Sequence, residues 1–142
     1  MTATNPNLME LQRKAKEATK NVTAAKKAAK AAKNAIGDYF KQRLRICVDK
    51  GILVYYNDEW AARDCRFYLS VDNNKIFVHY RSEYGWTYGV DPIDNYMSQL
   101  EDDIHNYRDL YEETGEDYYE ESMDEKKNKY EILKSIVDIL YN

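Results

Sequence analysis

Residues 65–81 read CRFYLSVDNNKIFVHYR. Apolar and polar residues alternate on both sides of Asp72-Asn73-Asn74, and Asn-rich dipeptides between alternating runs mark hairpins because Asn tolerates positive φ. With Asn73-Asn74 as a two-residue loop, Val71 faces Ile76, Leu69 faces Val78 and Phe67 faces Tyr80. That register gathers one apolar face, and a slip of one residue would turn every side chain to the other side. On the opposite face the same register sets Tyr68 against His79 and Arg66 against Arg81, with Phe77 beside them. Opposed like charges on a sheet are unfavourable. Arg66, Tyr68, His79 and Arg81 therefore make a candidate small-anion or nucleotide site, although Arg stacked over Tyr accounts for the same residues without a ligand.

Outward from the hairpin, ILVYY at 52–56 is a short strand that ends in the turn-like Asn57-Asp58. YGWTYGV at 84–90 alternates again, with Tyr84, Trp86, Tyr88 and Val90 on one side. The centre of the chain is thus an antiparallel β-meander of three to four strands.

Both flanks have helical periodicity. Counting by heptads from Leu8 gives Leu8, Leu11, Ala15, Ala18, Val22, Ala25, Ala29, Ala32, Ile36, Tyr39, Arg43 and Ile46, apolar or aromatic everywhere except Arg43. Asn5-Pro6-Asn7 starts this helix and Gly51 stops it, while Gly37 marks a bend or break. Residues 1–37 read as a long basic, Ala/Lys-rich, coiled-coil-like helix, and 38–142 as a compact domain anchored by the bulkier segment 38–50. Asp91-Pro92 opens a second helix, acid as cap and Pro in the first turn. Its apolar stripe is Ile93, Met97, Leu100, Ile104, Tyr107 and Tyr111, and Thr114-Gly115 ends it. A last helix from about Asp117 to Leu140 turns Tyr119, Met123, Tyr130, Leu133, Val137 and Leu140 inward. The order α-β-β-β-β-α-α defines an α+β fold: a long N-terminal amphipathic helix, the meander, and two C-terminal helices.

The net charge of −4 conceals a polarised chain. Residues 1–50 hold twelve Lys/Arg against four Asp/Glu, whereas residues 91–125 hold one Arg, Arg108, against fourteen acids. Such asymmetry concerns partners rather than fold. The acids culminate in EETGEDYYEESMDE, Glu112–Glu125, as doublets four apart: Glu112–Glu113, Glu116–Asp117, Glu120–Glu121 and Asp124–Glu125. Hard-metal spacing is absent from it, and a solvated helix N-terminus explains only the acids near Glu116. Pairing with the chain's own lysines would explain more. The sharpest reading is mimicry of nucleic acid. Two carboxylates per turn give about one charge per 3 Å of helix, so two adjacent helices approach the one charge per ~1.7 Å of duplex DNA. Tyr96, Tyr107, Tyr111, Tyr118 and Tyr119 would supply rigid aromatic anchors.

The leading expectation is a non-enzymatic inhibitor that presents Glu112–Glu125, with Tyr118 and Tyr119, to a basic groove on a nucleic-acid-handling protein. Viruses and mobile elements use such mimics against host defence nucleases, an analogy from charge and size. The alternatives are nucleic-acid binding or scaffolding by the basic helix (Arg13, Lys14, Lys16, Lys20, Lys26, Lys27, Lys30, Lys33), which is less expected, and anion binding at Arg66/Arg81. Self-association through the Ala seam is expected in every case. No cofactor, metal or catalysis is expected: His79 and His105 stand on different elements, and neither Cys47 nor Cys65 lies in a nucleophile motif. Those cysteines read as buried thiols. The opening residues lack the regions of a secretory signal, and no apolar run nears the ~20 residues of a membrane span, so the expectation is a soluble cytoplasmic protein.

Overall fold

The computed structural model describes residues 6–62, 66–81 and 88–142. Helix α1 (Pro6–Asp49) leads into five strands, β1 (Leu53–Tyr56), β2 (Glu59–Ala62), β3 (Phe67–Asp72), β4 (Lys75–Arg81) and β5 (Tyr88–Pro92). Helices α2 (Ile93–Thr114) and α3 (Asp117–Tyr141) complete the α+β fold. The strands lie side by side in chain order, every neighbour antiparallel. The β3–β4 register pairs Phe67 with Tyr80, Leu69 with Val78 and Val71 with Ile76, as the alternation dictates.

Strand β2 is one more than the sequence reading supplied. EWAA has a single large apolar residue, Trp60, and its two alanines carry almost no β signal. Its existence follows from the turn before it. Asn57 and Asp58 both hold positive φ, 53° and 61°, the requirement of a two-residue hairpin loop that continues the right-handed twist of its strands.

One face of the sheet forms the core. Leu53, Trp60, Ala62, Phe67, Leu69, Ile76 and Val78 are buried there against Phe40, Leu44 and Cys47 of α1, Ile93, Tyr96 and Leu100 of α2, and Leu133, Ile136 and Leu140 of α3. Helix α1 ends in a glycine-capped hydrogen-bond pair. The Ile52 N–H donates to the Cys47 carbonyl and the Gly51 N–H to the Val48 carbonyl, with Gly51 at φ 78°. Gly115 at φ 68° ends α2 and donates to the Tyr111 carbonyl. Asp91 is not the cap of α2; it belongs to β5, accepts a hydrogen bond from the Tyr80 hydroxyl at 2.5 Å, and leaves Pro92 at the helix start.

The first helix departs from its heptad reading in an informative way. Its buried residues are Gly37, Phe40, Leu44 and Cys47, one position beyond the seam members Ile36, Tyr39, Arg43 and Ile46. A straight α-helix drifts about 20° per heptad against a 3.5-residue repeat, so after five heptads the aligned face has moved by one residue. Leu44 and Cys47, not Arg43 and Ile46, therefore fall in line with Leu8 and Leu11. Arg43, the polar exception in the seam, donates through Nε to the Ile139 carbonyl at 2.7 Å and satisfies one of the open carbonyls at the end of α3. The helix runs on through Gly37. An added Cβ there would strike the backbone carbonyl of Asn73 in the β3–β4 turn, so this glycine is a contact point between helix and hairpin.

Candidate functional site

Three surfaces carry the residues singled out from the sequence. The first is the turn between α2 and α3, whose helices pack against each other. Glu112 and Glu113 close α2, Glu116 caps α3 without a side-chain hydrogen bond, and Asp117 and Glu120 occupy the first turn of α3. Two helix ends of opposite dipole thus share one acidic surface: α3 favours the acids at its start, whereas the end of α2 opposes Glu112 and Glu113. Among the described residues, Glu112, Glu113, Glu116, Asp117, Glu121 and Asp124 form no ion pair, while Glu125 meets Lys129 at 3.4 Å. Glu120 accepts a hydrogen bond from the Tyr111 hydroxyl across the turn, which pushes the Tyr111 pKa up.

The tyrosines divide. Tyr118 is 59% exposed and stands edge-on to Tyr119 at 5.5 Å, while Tyr119 tilts against Tyr107 at 6.3 Å. Tyr96 is withdrawn from the expected set: it is buried and stacks on Tyr80 at 4.5 Å. Farther along the helix pair, Lys126 approaches Asp103 at 4.0 Å and the Tyr130 hydroxyl donates to Glu101 at 2.6 Å. Nearer the turn Glu120 has its tyrosine partner, but among the described residues the acids from Glu112 to Asp124 have no cationic one. His105 turns to Asp109 at 3.6 Å. Among the described residues no group of three or more His, Cys, Asp or Glu side chains could hold a metal ion.

The basic arm of α1 is the second surface. Every residue from 6 to 36 is exposed, including Leu8, Leu11, Val22 and Ile36. Its ion pairs are local, Arg13 with Glu10 at 2.6 Å and with Glu17 at 2.8 Å. The arm's lysines do not neutralise the acidic turn. Phe40 meets Tyr141 at 5.7 Å and Arg43 meets Ile139, so α1 and α3 run antiparallel where they touch. The arm leaves the body in one direction, and the acidic turn lies at the other end of α3, about 36 Å away at 1.5 Å per residue.

The third surface is the sheet face turned away from the helices. Tyr68 pairs with His79 across β3 and β4, and their rings stack at 4.4 Å and 8°. Ser70 Oγ lies 2.7 Å from His79 Nε2, and burial lowers the His79 pKa, with Glu59 acting weakly the other way. Arg81 covers the Tyr88 ring at 5.3 Å and donates to its hydroxyl at 3.0 Å. The β3–β4 ladder begins at Phe67, so Arg66 stands one residue outside it and is not a ladder partner of Arg81. Both arginines nevertheless line one groove with Tyr68 and His79. Ala61 was missed here because β2 was missed. Of the strand read at 84–90, residues 84–87 lie outside the described residues, as does Cys65. Cys47 is a free thiol that burial pushes up in pKa, which keeps it unreactive.

Comparison with family profiles, curated proteins and solved structures finds no match to this chain. Among the described residues no helix is long and apolar enough to cross a membrane.

Proposed function

We propose that this chain is a non-enzymatic binding protein whose acidic α2–α3 turn occupies a basic groove of a nucleic-acid-handling protein in place of nucleic acid. One observation carries the reading: among the described residues, the exposed carboxylates from Glu112 to Asp124 on two packed helices form no ion pair and stand beside tyrosines, while the lysines of the α1 arm lie at the opposite end. In an ordinary solvated helix pair such acids would be interleaved with bases, as Asp103 and Lys126 are farther down. Like charges four apart on α3 (Asp117, Glu121 and Glu125; Glu120 and Asp124) repel by about 0.2–0.5 kcal/mol per pair, and a cationic partner relieves that repulsion. A cytoplasmic site of action and an inhibitory, anti-defence role belong to the same reading.

The test is displacement of labelled duplex DNA from a panel of sequence-nonspecific DNA-binding proteins, nucleases included, followed by anisotropy at two salt concentrations. The protein should displace DNA from at least one of them, less so at the higher salt. The Glu116→Lys/Glu121→Lys/Asp124→Lys variant, which spares the Tyr111–Glu120 bond, should fold and fail to displace. Equal displacement by this variant would sink the proposal.

A second reading concerns the arm. The exposed seam from Leu8 to Ile36 favours self-association through helix pairing, because an Ala-rich helix gains most of its stability from a packed apolar face. Sedimentation equilibrium should find an oligomer that Leu11→Lys/Val22→Lys dissociates; a concentration-independent monomer would exclude it.

A further inference from the structure

All three helices cover the same side of the sheet, so among the described residues no helix covers its other side. A transverse row crosses all five strands there through successive ladder partners: Val54, Ala61, Tyr68, His79 and Val90. Val54 and Val90 are exposed, as are Tyr56 and Tyr88 on the same face. Alongside the middle of this row runs an open groove of about 560 Å³ lined by Ala61, Arg66, Tyr68, His79, Arg81 and Tyr88 together with parts of their neighbours. From β2 to β5 it spans three strand spacings, roughly 14 Å.

Its chemistry is specific. One face of the Tyr68 ring is taken by His79, and its ladder partner on the other side is Ala61, whose methyl is small enough for a planar ring to continue the stack. Arg66 and Arg81 supply two cations, and among the described residues no carboxylate lines the groove. Aromatic platforms with flanking arginines are what bases and phosphates bind, without regard to sequence. The groove is a trough rather than a cavity, so it cannot enclose most of a small molecule's surface as a mononucleotide pocket would. An extended strand passing through suits it better.

We propose that the uncovered face of the sheet binds single-stranded nucleic acid, a base stacking on Tyr68 above Ala61 and the backbone phosphates meeting Arg66 and Arg81. This goes beyond the acidic-turn reading, on a different surface with the opposite ligand charge. The test titrates full-length protein into a labelled ten-nucleotide thymidine oligomer and follows anisotropy at low and moderate salt. Binding should appear at low salt and weaken at moderate salt. Tyr68→Ala should weaken it about tenfold or more and Tyr68→Phe should restore it, since stacking needs the ring and not the hydroxyl. Arg66→Ala/Arg81→Ala should also lower the slope of log K against log salt by about 1.4, the value for two lost single-strand phosphate contacts. Those arginines are exposed, so the double variant serves if Tyr68→Ala does not fold. Three results would overturn the assignment: no binding at low salt; binding lost in Lys26→Gln/Lys27→Gln/Lys30→Gln/Lys33→Gln but kept in the groove variants, which makes the arm the site; or competition by AMP or ATP at concentrations matching the oligomer, which makes the groove a mononucleotide pocket.

Discussion

Replacing Gly37 by alanine sets two effects of known sign against each other. Within a helix, Gly to Ala gains about 1 kcal/mol from propensity. At this position the new Cβ would meet the Asn73 carbonyl, which belongs to the backbone of a two-residue turn. Asn73 already holds φ at 56°, so the carbonyl cannot swing aside as a flexible side chain would. Overpacking of this kind costs about 1–3 kcal/mol, and the rigid neighbour places it in the upper part of that range. The net expectation is a loss of about 1–2 kcal/mol, or a fall in Tm of roughly 3–8 °C for a domain of this size. Thermal and urea unfolding by circular dichroism measure it, with helix content at low temperature unchanged because the helix itself is improved. Asn34→Ala, exposed on the same helix, isolates the propensity term and should raise stability by about 0.5 kcal/mol. If Gly37→Ala raises Tm as Asn34→Ala does, the helix does not rest on the hairpin at this point and the account of its docking fails.

Tyr80→Phe removes the hydrogen bond to Asp91 and should cost about 1–2 kcal/mol at neutral pH by urea denaturation. That bond holds the folded-state Tyr80 pKa at about 12 against an ordinary 10. Its contribution is therefore complete below pH 10 and is lost as pH rises toward 12, a decline that Tyr80→Phe should lack. His79 has the opposite linkage. Its pKa is depressed by burial below 6.5, so its contribution is present above that pH and lost as pH falls, and His79→Gln should flatten the acid limb of the stability curve. An NMR titration placing the His79 midpoint above 6.5 would contradict this. Glu121→Lys converts two like-charge pairs, with Asp117 and Glu125, into attractive ones and should stabilise the fold by about 1 kcal/mol while weakening any cationic partner, measurable by paired melting and binding assays.

The meander was legible where alternation, turn chemistry and cross-strand apolar pairing agreed, and β3–β4 satisfies all three down to its register. It was illegible at EWAA, where the turn rather than the strand holds the information, because two adjacent residues at positive φ leave the chain little choice but to double back. The α1 seam is legible as a helix but points to the wrong face at the body end, since a 3.5-residue count accumulates error over about ten turns of a 3.6-residue helix. Tyr96 was assigned to the surface because it sits beside acids in sequence; its ring occupies the interior through stacking on Tyr80, which only the β4–α2 packing reveals. Asp91 illustrates the same limit, as an acid before Pro is a good cap signal until a tyrosine from the preceding strand claims it. The acidic doublets were plain in the sequence, but their lack of cations was not, because that depends on where α1 sends its lysines.

The opposite placement of arm and acidic turn gives the molecule a charge axis. Screening at physiological ionic strength acts over about 8 Å, well short of the length of α3 alone, so neither end senses the other's charge. Net charge is then a poor guide to behaviour. Near a polyanion the field exerts a torque that brings the arm foremost, and near a polycation the same torque presents the acidic turn. A protein with a formal charge of −4 should accordingly be retained at low salt by both anion and cation exchangers, eluting from each at a salt concentration set by one end.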